Sequence, residues 1–158
     1  LYTFHCYAPH IFTHQKAPWV PAIFTYNQAV EYPGECTNLA EFLASPQAAQ
    51  FTNEELDFLL RTYLGQPLDK ASIQAALQPA LDFRQHSGHA VYCGEFGVID
   101  QAPVASNLRW HKDITDLMLE AGIGHAVWSY KQMDFGLVDA DSKVVHPELV
   151  KIVSRRAV

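Results

Sequence analysis

The chain has 158 residues, 49% hydrophobic and 18% charged, the size and balance of one globular domain. A net charge of −6 and a pI of about 5.7 exclude the basic footprint of a nucleic-acid binder. No apolar run approaches the roughly 20 residues a membrane helix needs, and Cys6, Cys36 and Cys93 show no spacing of a disulfide framework or zinc knuckle.

Residues 1–7, Leu-Tyr-Thr-Phe-His-Cys-Tyr, read as a strand stopped by Pro9. Alternation puts Thr3, His5 and Tyr7 on one face and Phe4 and Cys6 on the other. Residues 8 to about 51 read as a long irregular region holding five prolines, with a short helix around Leu39–Leu43. Its aromatics, Phe12, Trp19, Phe24, Tyr26 and Tyr32, suit either stacking on a sugar ring or packing on one another. Thr52-Asn53-Glu54-Glu55 matches a capping box, with Leu56, Leu59, Leu60 and Tyr63 following at helical spacing before Gly65. Asp69 opens a second helix through Ile73, Leu77, Leu81 and Arg84, which Pro79 should kink or restart and Gly88 stops.

Val91 to Ile99 form the stretch around which the chain is organised: Val-Tyr-Cys-Gly-Glu-Phe-Gly-Val-Ile. It reads as a buried strand with a carboxylate at its C-terminal end. Charged residues are seldom buried unless paired, so Glu95 is a group held for chemistry, a structural ion pair or a loop residue. Gly94 and Gly97 allow something large to approach the backbone. Val91, Cys93 and Glu95 share a face by alternation, with Cys93 below Glu95. If His5 and Glu95 point the same way, Cys6 and Cys93 point oppositely. Ser106 or Asn107 then caps a third helix, whose core stripe is Trp110, Ile114, Leu117, Met118 and Ala121. A strand from His125 to Tyr130 and a helix beginning near Pro147 complete the chain. Strands alternating with helices predict an α/β fold with a parallel sheet. His5, Tyr7, Glu95 and Trp128 all fall at strand C-termini, the edge where α/β sheets build their sites.

These residues carry a resemblance. His5-Cys6-Tyr7-Ala8-Pro9, then Phe12-Thr13-His14-Gln15, then Gly94-Glu95-Phe96-Gly97, then Trp128-Ser129-Tyr130 resemble, in this order, the C-terminal part of the cellulase-type catalytic domain of glycoside hydrolase family 5. The resemblance runs through essentially the whole chain. It implies a partial TIM (β/α)8 barrel, from about strand 6 to helix 8, and retaining hydrolysis of β-linked glucans. It implies Glu95 as nucleophile, Tyr7 as the group orienting it and His5 as a contact to substrate or the catalytic carboxyls. Trp128 would floor the sugar subsite, with a cis peptide to Ser129, and His14 and Trp19 would meet the substrate. It implies no cofactor and no metal, and a secreted or periplasmic parent.

The chain departs from the family in length. A full barrel takes about 250 residues, and the acid/base glutamate of the fourth strand is absent here. Glu31, Glu35, Asp134 and Asp139 do not end a strand in the right place. The chain therefore reads as a fragment that needs the N-terminal half of the barrel, poorly stable and catalytically dead alone. A non-catalytic carbohydrate-binding or partner-dependent half-barrel is the alternative. His5, His10 and His14 invite a metal, but His10 and His14 fall in a loop interrupted by proline, where zinc wants ligands on ordered elements. His86, His89, His111, His125 and His146 are expected at the surface or its boundary, and Trp110 in the core.

Overall fold

The computed structural model describes residues 1–36 and 38–156. Strand β1 is Tyr2–His5, and between it and the next long helix lie α1 (His10–Thr13), α2 (Pro21–Tyr26), α3 (Leu39–Leu43), a 3-10 turn at Ala48–Gln50, α4 (Asn53–Leu59) and a π-turn at Leu60–Leu64. Helix α5 (Lys70–Ser87) leads into β2 (Val91–Glu95), then α6 (Val104–Glu120), β3 (Gly124–His125) and α7 (Pro147–Val153). The strands form one parallel sheet in the order β1-β2-β3. Parallel neighbours need a crossover, and α5 and α6 supply it.

The capping box at Thr52 is formed: its side chain accepts from the Glu55 amide at 3.2 Å, and the Glu55 carboxylate accepts from the Thr52 amide at 2.7 Å. Asp69 caps α5, accepting from the Ser72 amide at 2.8 Å. Pro79 does not restart that helix, which is continuous from Lys70 to Ser87. Ala75, whose carbonyl loses its partner to the proline, is exposed along with Pro79, so water can take the bond.

Four expectations are corrected. Helix α6 starts at Val104, before Ser106 and Asn107, because the Ser106 hydroxyl goes to the Glu31 carboxylate instead of capping. The last strand covers only Gly124–His125. The ladder continues as single bonds from Ala126 N to Cys93 O (2.9 Å) and Trp128 N to Phe96 O (2.8 Å), after which Ser129 N turns to the Phe135 carbonyl. His111 is buried between Trp110 and Phe96, with Nδ1 3.0 Å from the Asn107 carbonyl. The region 8–51 is helical in several short pieces, and Phe12, Tyr26 and Tyr32 are core residues there, while Trp19 and Phe24 are exposed.

The alternation in β2 is also broken. Phe4 pairs with Cys93, but His5 pairs with Glu95, so Gly94 is an extra residue, a β-bulge. The bulge puts Cys93 on the helix-facing side with Phe4 and Cys6, and turns Glu95 to the side of His5. Cys6 and Cys93 therefore share one core with Trp110, Ile114 and Ile73 instead of pointing apart, and Cys93 does not lie below Glu95. All three cysteines carry free thiols. Burial, then the neighbouring Cys6 thiol, pushes the Cys93 thiol up to about 12.

The main core lies between the sheet and α5 and α6 and reaches into the short helices. Trp110 is fully buried and donates Nε1–H to the Ala8 carbonyl at 2.9 Å, fixing the segment after β1. A second cluster, Ala17, Ile99 and Phe135 with Tyr7 and Trp128 against it, sits at the C-terminal end of the sheet. Tyr32 donates to Asp113 at 2.9 Å and Arg109 donates to the Tyr32 carbonyl at 2.8 Å, tying the inserted segment to α6.

Candidate functional site

An open cleft of about 330 Å³ lies at the C-terminal end of the sheet, lined by Tyr7, His14, Trp19, Glu95, Trp128, Met133 and Phe135. Each residue arrives from a different place in the fold. Glu95 ends β2, turned by the bulge. Tyr7 follows β1, and Trp128 follows β3. His14 is the residue that ends α1, and Trp19 lies between α1 and α2.

The Tyr7 hydroxyl donates to Glu95 Oε2 at 3.1 Å. Nδ1 of His5 lies 3.4 Å from the same oxygen, with His5 half exposed. Both contacts converge on Oε2 and leave Oε1 without a protein partner among the described residues. Burial, and then the bond to Glu95, raise the Tyr7 phenol well above its ordinary value, so it remains a donor across the working pH range.

The aromatic wall is continuous. Phe135 packs against Tyr7 (6.2 Å between ring centroids), His14 (5.4 Å) and Trp19 (6.4 Å). The ring of His14 stands edge-on to Tyr7 at 5.0 Å. Gly97 is held by the wall itself: a Cβ there would collide with the Trp128 carbonyl and lie 3.2 Å from Phe135. The expected close approach to the two glycines is thus intramolecular. Trp128 closes on Gly97, and at Gly94 the His5 ring comes within 3.7 Å of the place a Cβ would occupy. The Trp128–Ser129 peptide is cis.

All six residues selected from the sequence, His5, Tyr7, His14, Trp19, Glu95 and Trp128, meet at or beside this cleft. Phe135 and Met133 are not legible in the sequence. Both sit in a loop with no regular spacing, and Met133 has a positive φ of 60°. Glu95 is the one carboxylate lining the cleft among the described residues. Glu31 instead lies 3.7 Å from Arg109. Asp139 accepts from the amides of Asp141 and Lys143 and shapes a turn. Among the described residues no group of three or more His, Cys, Asp or Glu side chains is placed to hold a metal, and no helix is long and apolar enough to cross a membrane. His10 and His14 contact each other edge-on at 4.1 Å.

The fold is that of the C-terminal portion of a (β/α)8 barrel, as the motifs implied. The chain is 40% identical over 156 residues to Endoglucanase C of Acetivibrio thermocellus, covering 99% of this chain and 43% of that protein. It is 29% identical over 123 residues to Cellodextrinase A of Ruminococcus flavefaciens, covering 78% of this chain and 27% of that protein. Among solved structures, it superposes on an endoglucanase from the hyperthermophilic Thermotoga maritima with a TM-score of 0.62 at 18% identity, over 96% of this chain and 38% of that one. No protein-family model matches the chain. The chain thus spans less than half the length of the curated relatives it matches.

Proposed function

We propose that this chain is the nucleophile-bearing part of a retaining glycosidase acting on β-linked glucans. In this reading Oε1 of Glu95 attacks the anomeric carbon. Tyr7 and His5 hold Oε2, so that the carboxylate is aimed. Trp128, with Trp19 and His14 beside it, would meet the sugar, since an indole face suits the apolar face of a pyranose. The observation that carries the reading is the bond from Tyr7 to Glu95 Oε2 at 3.1 Å inside an aromatic cleft at the strand C-termini. Relatives named as endoglucanases support the substrate class.

A retaining enzyme needs a second carboxyl group about 5–5.5 Å from the nucleophile, as acid and then base. No such group lines the cleft among the described residues. The reading therefore assigns the acid/base to the remaining part of a barrel; the resemblance to polymer-degrading enzymes, not this geometry, is what suggests a secreted or periplasmic setting for the whole enzyme. That same absence favours a second reading for the chain alone, a half-barrel that binds sugar without turning it over.

An activated fluoro-glycoside with a dinitrophenolate leaving group separates the two, because such a leaving group needs no acid. Incubation followed by peptide mass analysis should place the sugar adduct on Glu95 and lose it in Glu95→Gln. Binding of cellobiose without any adduct would favour the binding module. An adduct elsewhere would remove Glu95 from the mechanism.

A further inference from the structure

Thr13 is fully buried at the end of α1, and its hydroxyl has one proton to give. Its Oγ1 lies 2.7 Å from the Tyr7 carbonyl and 3.5 Å from the His10 carbonyl. Both are acceptors only, so the proton goes to a carbonyl in either case. The same Oγ1 lies 3.0 Å from Nδ1 of His14. With its proton committed, Thr13 can only accept there. Nδ1 of His14 is therefore the protonated nitrogen, and Nε2 carries the lone pair. No described residue partners Nε2, and it is not among the polar atoms sealed from solvent. His14 lines the cleft that holds Glu95.

We propose that Thr13 is a positioning residue that locks His14 as the Nδ1–H tautomer, so that its bare Nε2 accepts a hydrogen bond from a hydroxyl of a neutral sugar in the cleft. The inference rests on the glycoside reading above and names a specificity element within it. The titratable groups facing His14 are His10 and Tyr7. Burial, and then His10, hold the His14 imidazole at about 3, and burial keeps His10 low as well, so both rings are neutral at working pH. The tautomer is then set by the hydrogen bond and not by charge. The other polar groups lining the cleft are the Tyr7 hydroxyl, spent on Glu95, the Glu95 carboxylate, and the indole N–H groups of Trp19 and Trp128, which only donate. No lysine or arginine lines it among the described residues. His14 Nε2 and Glu95 are acceptors for a ligand's hydroxyls, the indoles are donors to them, and a carboxylate with no cation beside it disfavours a negatively charged ligand. A hexose with free hydroxyls fits; a uronate does not.

The test uses the 158-residue chain with isotope-labelled histidine, read by long-range proton–nitrogen correlation NMR. Nδ1 of His14 should be protonated in the native chain. Thr13→Val should redistribute the proton toward Nε2, and Thr13→Ser should restore the native pattern. Cellobiose should shift the Nε2 resonance, and Thr13→Val should weaken cellobiose binding by about tenfold, the worth of one ordinary hydrogen bond. Cellobiose binding with Nε2 protonated overturns the tautomer lock and leaves the glycoside reading standing. An Nδ1–H tautomer whose Nε2 does not respond to saturating cellobiose overturns the ligand assignment and leaves the glycoside reading, which the Glu95 adduct tests, standing. A pattern in Thr13→Val identical to the native one shows that Thr13 sets nothing.

Discussion

Acidification should destabilise this protein in part through His111, beside the contribution of the buried His14. The ring is buried under β2 between Phe96 and Trp110, and its Nδ1–H is spent on the Asn107 carbonyl. Burial lowers its pKa from the ordinary 6.5 to about 4, partly offset by that backbone bond. The unfolded chain takes up a proton below about 6.5, whereas the native chain resists it until about 4. Stability is therefore complete above 6.5 and falls as the pH drops through that window. A difference of about 2.5 pKa units corresponds to about 3 kcal/mol at 1.36 kcal/mol per unit, a large share of the roughly 5–15 kcal/mol that holds a typical domain together. Urea unfolding should be measured from neutral pH down to pH 4 in the native chain and in His111→Leu. His14 and His10 titrate in both proteins, so their contribution cancels in the difference. The stability gap between the two should shift by about 3 kcal/mol in favour of the leucine variant across the window. Parallel curves would refute the assignment of the acid sensitivity to His111.

Three further outcomes follow from single contacts. Tyr7→Phe removes the donor to Glu95 Oε2. A hydrogen bond to a charged group is worth about 1.5–3 kcal/mol, so the rate of Glu95 adduct formation should fall roughly 10- to 100-fold; an unchanged rate would mean that Tyr7 does not aim the carboxylate. Gly97→Ala forces a methyl into the Trp128 carbonyl, and a loss of about 2–4 kcal/mol in urea is expected, with the indole fluorescence displaced. Tyr32→Phe leaves Asp113 without its phenol partner, and limited proteolysis should then cut the inserted segment faster, at a cost of about 1–3 kcal/mol.

Periodic signals are legible from sequence alone. The stripe of Trp110, Ile114, Leu117 and Met118 on α6, the capping box at Thr52 and the glycine stop at Gly88 depend on neighbours within a few residues, and each is formed. Signals that depend on distant partners are not. Ser106 reads as a cap until Glu31, far away in sequence, claims its hydroxyl. His111 reads as a boundary residue, because nothing local shows that Phe96 will lie over it. The cleft residues are accessible through strand-end motifs and through the family resemblance. Phe135 is hidden, because its place depends on the loop folding back from Ser129 to Leu137.

The β-bulge at Gly94 shows how one residue converts sheet geometry into chemistry. Strict alternation from Val91 would point Glu95 into the helix-facing core beside Cys93, where a carboxylate would be costly to bury. One extra residue without a side chain reverses its direction and sets it opposite His5. The Cys6 amide then bonds to the Glu95 carbonyl at 3.0 Å, fixing the backbone just where the side chain emerges. Tyr7, two residues beyond His5, arrives on the same side and reaches the same oxygen. The paired strands thus orient the carboxylate from both its backbone and its Oε2, while Oε1 has no partner among the described residues. An alanine at position 94 would test that economy, since its methyl would lie 3.7 Å from the His5 ring, an ordinary contact. Its effect should accordingly be small on stability and should fall on the His5 side of the carboxylate.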